Sequence, residues 1–170
     1  MKKLYVVGNK ASKSLSPTIF NYWFRKYNIK ASYGYLELTE KNFHNKIKDI
    51  LEKKDTLGLN VTIPFKNKII KHLGKIDAHA KKIGAVNCVT NKKTIKGTNT
   101  DWTGYYKTLP NIKQTKNRKV IILGYGGASH AIHYVLKKRG FKDILIFNRS
   151  KKKIKYSKNI EYTKKYSDLE

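Results

Sequence analysis

The chain has 170 residues, with 38 Lys and Arg against 11 Asp and Glu, a formal net charge of +27. Hydrophobic residues make up 39% and aromatics 12%, enough for a packed core, which excludes a disordered chain. Such basicity attracts anions: nucleic acid, acidic lipid, or phosphate and carboxylate substrates.

The charge has no focus. Lysines occur in nearly every segment and the longest lysine run is Lys151–Lys153, as a codon bias toward A/T would give; a dedicated nucleic-acid surface is the alternative. With Cys88 as the only cysteine, no internal disulfide can form. No segment approaches the roughly 18 apolar residues of a membrane span. The opening MKKLYVVGNK reads as a strand rather than a signal peptide, so the expected setting is cytoplasmic, with no membrane partner.

In chain order, Leu4–Val7 is a short apolar run ending at Gly8, a buried-strand pattern. Ser16 and Pro17 resemble an N-cap and a first helical proline. Ile19, Phe20, Trp23, Phe24 and Tyr27 then recur at helical spacing. Tyr33–Leu38 predicts a second strand. Thr39 caps a helix whose apolar side is Phe43, Ile47, Ile50 and Leu51. Leu57–Ile63 predicts a third strand, Lys66–Leu73 and Asp77–Ile83 helices, and Val86–Val89 and Thr94–Lys96 short strands around an NKK turn. Asp101–Leu109 predicts a further helix, and the polar stretch that follows a hinge over 111–118.

A new unit opens at Lys119, with an apolar strand (Val120–Leu123), a glycine turn, a helix and a second strand (Ile144–Phe147). In that helix Ala128, Ala131, Ile132 and Val135 share one face, and Gly140 ends it. The alternation predicts an α/β protein. Its expected units are residues 1–110 and 119–170, on either side of the hinge.

Gly124, Gly126 and Gly127, followed by Ala128, lie between strand and helix, where a dinucleotide pyrophosphate meets free N–H groups and the positive end of the helix dipole. A tight turn with no ligand is the plainer alternative. Asn148, Arg149 and Ser150 end the second strand, with Lys153 close behind. An NAD site places a carboxylate there, whereas an arginine meets the 2′-phosphate of NADP, so the expected cofactor is NADP. Tyr125 sits inside the glycine turn and must point away from the phosphates or stack on the cofactor.

In the first unit SKSLSP, NVTIPFK, GAVN and GTNTDW each follow an apolar run. They supply hydroxyls (Ser14, Ser16, Thr62), amides (Asn60, Asn87, Asn99), the Lys66 ammonium and the Asp101 carboxylate, a set suited to a small polyhydroxylated acid. His130 and His133 lie three apart but lack a third ligand, so no metal is expected. His44, His72 and His79 gain no role, and Cys88 reads as packing.

These segments, in this order with GYGGAS and NRS, resemble the shikimate dehydrogenase family. The resemblance implies an N-terminal mixed-sheet substrate domain (1–110) followed by a partial Rossmann-type NADP-binding domain (119–170), reducing 3-dehydroshikimate to shikimate with NADPH in a cleft between the two domains of a monomer or homodimer. It implies that Ser14 and Ser16 bind the substrate carboxylate, that Thr62, Asn87 and Asp101 bind ring hydroxyls, and that Asn60 and Asn99 hold the loops. Lys66 becomes the acid/base at the reacting oxygen, with Asp101 beside it favouring its charged form. Relatives acting on quinate share these motifs, though Arg149 argues against their more usual NAD. A rival of another class is a non-catalytic NADP- or nucleic-acid-binding protein, which core-placed aromatics argue against. The chain ends at Glu170, short of the family's full length, and the expectation is a fragment lacking the later cofactor-domain strands.

Overall fold

The computed structural model describes residues 1–110, 115–148 and 160–161. They form two compact units, residues 1–100 and 101–170. The division falls between Thr100 and Asp101, ahead of the hinge the sequence suggests, because the helix opening at Asp101 packs within the second unit.

The first unit contains β1 (Lys2–Gly8), α1 (Ser16–Lys26), β2 (Ala31–Glu37), α2 (Phe43–Leu51), β3 (Thr56–Val61), β4 (Lys75–Ile76), α3 (Ala78–Ile83), β5 (Cys88–Asn91) and β6 (Ile95–Thr98). Its six strands form one mixed sheet in the order β2-β1-β3-β5-β6-β4. β1 runs parallel to β2 and β3, β5 is antiparallel to β3 and β6, and β4 is parallel to β6. Every strand but β5 therefore ends at the same edge.

The periodicity of α2 explains its docking. Phe43, Ile47, Ile50 and Leu51 fall on one helical face and all four are buried. Phe43 stacks on Phe65 with ring centroids 4.2 Å apart, and both are fully buried. Thr39 and Asn42 close the turn that leads into this helix: Asn42 Oδ1 accepts from the Thr39 N–H at 2.9 Å, and Thr39 Oγ1 from the Asn42 N–H at 3.4 Å. A hydrogen bond of 2.8 Å between His44 Nδ1 and His72 Nε2 ties the helix to the 3-10 turn Lys68–His72.

Several elements differ from their sequence-based bounds. β3 stops at Val61 because the chain turns at Thr62, where the Thr62 carbonyl accepts from the Phe65 N–H. Instead of a helix over Lys66–Leu73 there is only the 3-10 turn, and Lys66 precedes it. α1 is the larger departure. None of its residues is buried; Phe20 and Phe24 pack on Tyr33, while Ile19, Tyr22, Trp23 and Tyr27 are exposed. The aromatics are thus not all core residues, and the objection to nucleic-acid binding that rested on their burial does not hold.

The second unit contains α4 (Asp101–Thr108), β7 (Lys119–Leu123), α5 (Gly127–Lys138), β8 (Asp143–Phe147) and β9 (Ile160–Glu161). β7, β8 and β9 form a parallel sheet in that order, with β7-α5-β8 the crossover unit of a Rossmann-type domain. α4 and α5 pack together, and Arg139 lies over the Tyr106 ring, 4.1 Å from its centroid, while donating to the carbonyls of Tyr106 and Leu109. On α5 the buried face is Ala131, His133, Val135 and Leu136; Ala128, expected on that face, is exposed because it lies in the open first turn. Among the described residues no helix is long and apolar enough to cross a membrane.

The Phe43–Phe65 stack joins α2 to the turn after β3. Phe43→Ala is expected to destabilise the first unit by about 3–5 kcal/mol in denaturant unfolding. Leu15→Ala, at a residue 73% exposed, should change stability by less than about 0.5 kcal/mol in the same measurement.

Candidate active site

The polar residues singled out in the first unit converge on the carboxyl edge of its sheet. At the end of β1 the chain passes Gly8 into a 3-10 turn, Ala11–Lys13, which delivers Ser14 and Ser16. Glu37, the last residue of β2, anchors that turn by accepting from the Ser12 N–H at 3.1 Å and from the Ser12 hydroxyl. These bonds hold the Glu37 carboxyl below its usual range. Ser16 does not cap α1 as expected. It is the first helical residue, after Leu15 at the cap position, and Ser14 Oγ accepts from the Ser16 N–H at 3.2 Å and donates to Ser16 Oγ at 3.1 Å. The two hydroxyls thus form a half-buried pair beside the first turn of α1.

Thr62 follows β3 directly, and its N–H donates to the Val7 carbonyl at 2.8 Å. Its methyl lies where a side chain on Gly8 would have to go: a Cβ there would come within 2.5 Å of Thr62 Cγ2, so β1 and the turn after β3 approach closely only because residue 8 is glycine. The peptide bond from Ile63 to Pro64 is cis. Two residues on, the Lys66 carbonyl accepts from the Val86 N–H at 2.8 Å, fixing the half-buried lysine beside the GAVN segment.

Asn87 is held from both sides. Its carbonyl accepts from the Val61 N–H at 2.8 Å and its own N–H donates to the Thr98 carbonyl at 3.1 Å. Its side chain closes a ring with Thr100, donating to Oγ1 at 2.9 Å and accepting from the Thr100 N–H at 2.8 Å. Asn99, only 3% exposed, donates to the Ala85 carbonyl at 2.9 Å. Asn60 accepts from the Tyr33 hydroxyl at 2.6 Å. Ser14, Ser16, Thr62, Lys66 and Asn87 therefore share one edge, where open α/β sheets place ligands. Asp101 opens α4 in the second unit.

The glycine turn of the second unit has a different logic. Gly124 has φ +85°, a left-handed conformation that glycine adopts without steric cost, and its N–H donates to the Phe147 carbonyl at 2.7 Å. Asn148, the first residue past β8, accepts from the Tyr125 N–H at 3.1 Å, so the two strand ends are tied across the turn. Among the described residues, no atom lies within 4 Å of a Cβ built at Gly124 or Gly126. Packing therefore gives no reason for glycine at 126, and the backbone there is open to the approach of a phosphate. No side chain caps α5, which leaves the N–H groups of its first turn directed at that space. These features fit a dinucleotide pyrophosphate. Arg149, Ser150 and Lys153 lie outside the described residues.

Tyr125 turns inward. It is 8% exposed, and its hydroxyl and His133 Nδ1 are 3.1 Å apart, with the His130 ring tilted over it at 4.4 Å. His133 is 5% exposed, and its Nε2 has no partner among the described residues. Burial, with the charges of Lys137 and His130 assisting, lowers its pKa, so it is held neutral. The sequence placed Tyr125 away from the phosphates or on the cofactor and weighed His133 only beside His130; that the two meet depends on the turn folding back over α5. Among the described residues no three or more His, Cys, Asp or Glu side chains could hold a metal ion.

Comparison with known proteins places this geometry. The shikimate dehydrogenase substrate-binding domain model matches residues 6–89. The NADP(+) shikimate dehydrogenase of Thermotoga maritima is 34% identical over 168 residues, covering 99% of this chain and 62% of the relative. Nearly the whole chain is thus similar to the shikimate dehydrogenases. The crystal structure of the shikimate dehydrogenase from Thermotoga maritima superposes with a TM-score of 0.83 at 33% identity, covering 94% of this chain and 61% of that one. A Thermus thermophilus shikimate 5-dehydrogenase solved with NADP(H) and shikimate gives 0.73 at 26% identity, covering 88% and 57%. The chain thus spans about 62% of the length of the curated relative it matches.

The buried Tyr125–His133 pair sets two measurable effects. Tyr125→Phe leaves a buried imidazole nitrogen unpaired, and is expected to cost about 1–3 kcal/mol in chemical unfolding. Because the folded pKa of His133 lies below its ordinary 6.5, its contribution to stability is complete above that pH and is lost as pH falls through the depressed folded value. Melting curves across the acid range should show this loss in the natural chain and a flatter profile in Tyr125→Phe/His133→Leu.

Proposed function

We propose that the chain carries the substrate-binding unit and the first part of the cofactor unit of an NADP-dependent shikimate dehydrogenase, acting on 3-dehydroshikimate and shikimate. The observation behind this reading is the gathering of Ser14, Ser16, Thr62, Lys66 and Asn87 on one sheet edge.

In this reading the Ser14 and Ser16 hydroxyls donate to the substrate carboxylate and set its orientation. The Thr62 hydroxyl and the Asn87 amide meet ring hydroxyls, and Asp101 is assigned to another on its chemistry alone. Lys66 faces the ring oxygen that changes between ketone and alcohol. As charge grows on that oxygen the ammonium stabilises it and delivers a proton. In the oxidative direction the amine accepts that proton, so oxidation improves as pH rises. When bound, the nicotinamide cofactor supplies or accepts the hydride. Gly124, Gly126 and Gly127 with Ala128 would hold its pyrophosphate, and Asn148 keeps the turn in shape. Arg149, Ser150 and Lys153 are assigned to the adenosine 2′-phosphate on their chemistry alone.

The test combines binding and turnover. Calorimetric titration should show saturable shikimate binding, weakened by Ser14→Ala, and NADPH fluorescence should change on mixing with the chain. Shikimate-dependent NADP+ reduction should fall about 10²–10⁴-fold in Lys66→Met while shikimate binding remains measurable. Absence of shikimate binding, or full turnover without Lys66, would contradict the reading. Nucleic-acid affinity that collapses with salt and ignores Lys66→Ala would favour the binding-protein alternative.

A further inference from the structure

Tyr33 is a buried neighbour of Ser16. It sits on β2, 3% exposed, its ring stacked on Phe20 with centroids 4.6 Å apart. The Asn21 side chain clamps its backbone from α1, donating to the Tyr33 carbonyl at 2.8 Å and accepting from its N–H at 2.9 Å. Backbone and ring are thus both fixed, and the hydroxyl has one place to be. There it donates to Asn60 Oδ1 at 2.6 Å, with the Ser16 side chain near enough to act on it through hydrogen bonding. Ser16 in turn accepts from Ser14 at 3.1 Å. A line of polar groups therefore runs from Ser14 through Ser16 and Tyr33 to Asn60, from the sheet edge into the interior.

We infer that Tyr33 is a positioning residue for the Ser14–Ser16 pair, holding both hydroxyl oxygens in place for a carboxylate. The inference rests on the carboxylate-binding role proposed for those serines. Its physical basis is that a phenol both donates and accepts. With no anion present, the Ser16 hydroxyl can point its hydrogen at the phenol oxygen. When a carboxylate draws the serine hydrogens outward, the phenol can turn its own hydrogen toward Ser16 Oγ, so the oxygen keeps a partner in both states. Burial pushes the Tyr33 pKa up to about 12, against the opposing influence of Ser16. The phenol thus keeps its proton at neutral pH and adds no negative charge beside the incoming anion. Phenylalanine would preserve the stacking and remove this exchange.

The test uses the full chain with two probes, shikimate and its uncharged methyl ester, measured by calorimetry. The natural chain should prefer the acid. Tyr33→Phe should weaken acid binding about five- to tenfold, the scale of one hydrogen bond, and leave ester binding nearly unchanged. A merely structural role would weaken both probes alike, and that result, or an unchanged preference for the acid, overturns the inference. Should Tyr33→Phe fail to melt cooperatively, Asn60→Ala decides, since it removes the phenol's inner partner and leaves Tyr33 in place. A smaller loss confined to the acid supports the inference, and an equal loss or none overturns it. If the natural chain binds neither probe, the substrate reading falls and this inference with it. If it prefers the acid and neither variant alters that preference, only the role of Tyr33 falls.

Discussion

At the carboxyl end of β3 two backbone hydrogen bonds, Thr62 N–H to the Val7 carbonyl and Val61 N–H to the Asn87 carbonyl, each 2.8 Å, join three segments distant in sequence. The other candidate groups of the first unit are placed relative to this junction. On one side it fixes where β1 ends, and so where the loop bearing Ser14 and Ser16 begins. On the other it draws in the GAVN segment, which the Lys66 carbonyl holds through Val86. Both bonds lie beside β3 residues flanked by a parallel and an antiparallel neighbour, so this mixed pairing is what brings a β1 loop and a β5 entry to one edge. A parallel sheet alone would have put the start of β5 at the opposite end.

The junction is polar, and the groups that build it are largely saturated by one another. Asn87, Asn99 and Asn60 spend hydrogen bonds on loops or on Tyr33. Such mutual satisfaction fixes geometry without a ligand, the condition for binding with little reorganisation. The glycine turn of the second unit has a comparable arrangement: Asn148 and the Phe147 carbonyl hold the backbone of the turn, and the buried Tyr125–His133 pair anchors it from below.

Much of this was legible in the sequence because the governing patterns are local. The α2 stripe, the βαβ unit around Gly124 and the ordered polar segments after apolar runs all depend on spacing within about a dozen residues. What failed depended on distant parts of the chain. The α1 aromatics have helical spacing, but the layer behind them is only wide enough to cover Phe20 and Phe24. Tyr33 looked like one apolar strand position among several; only the fold brings it against Asn60, 27 residues later. Ser16 carried the stronger cap signal, yet the Glu37 anchor turns the preceding loop so that Ser16 enters the helix and Ser14 accepts from its N–H. The boundary at Thr100 was missed because the polar stretch after α4 resembles a linker, whereas α4 belongs by its contacts with α5. β4 and β9, two residues each, carry too little pattern to be read without their partners.

The central claim is that the carboxyl edge of the first sheet is a preformed site for a small hydroxylated acid. Amide chemical-shift mapping of the isotope-labelled chain during shikimate titration tests it most directly. The account predicts saturable shifts concentrated on the loop through Ser14 and Ser16, on Thr62 to Lys66, and on Asn87 to Thr100, with the strand starts at the opposite edge unmoved. Shifts confined to other surfaces, or none at saturating ligand, would contradict it.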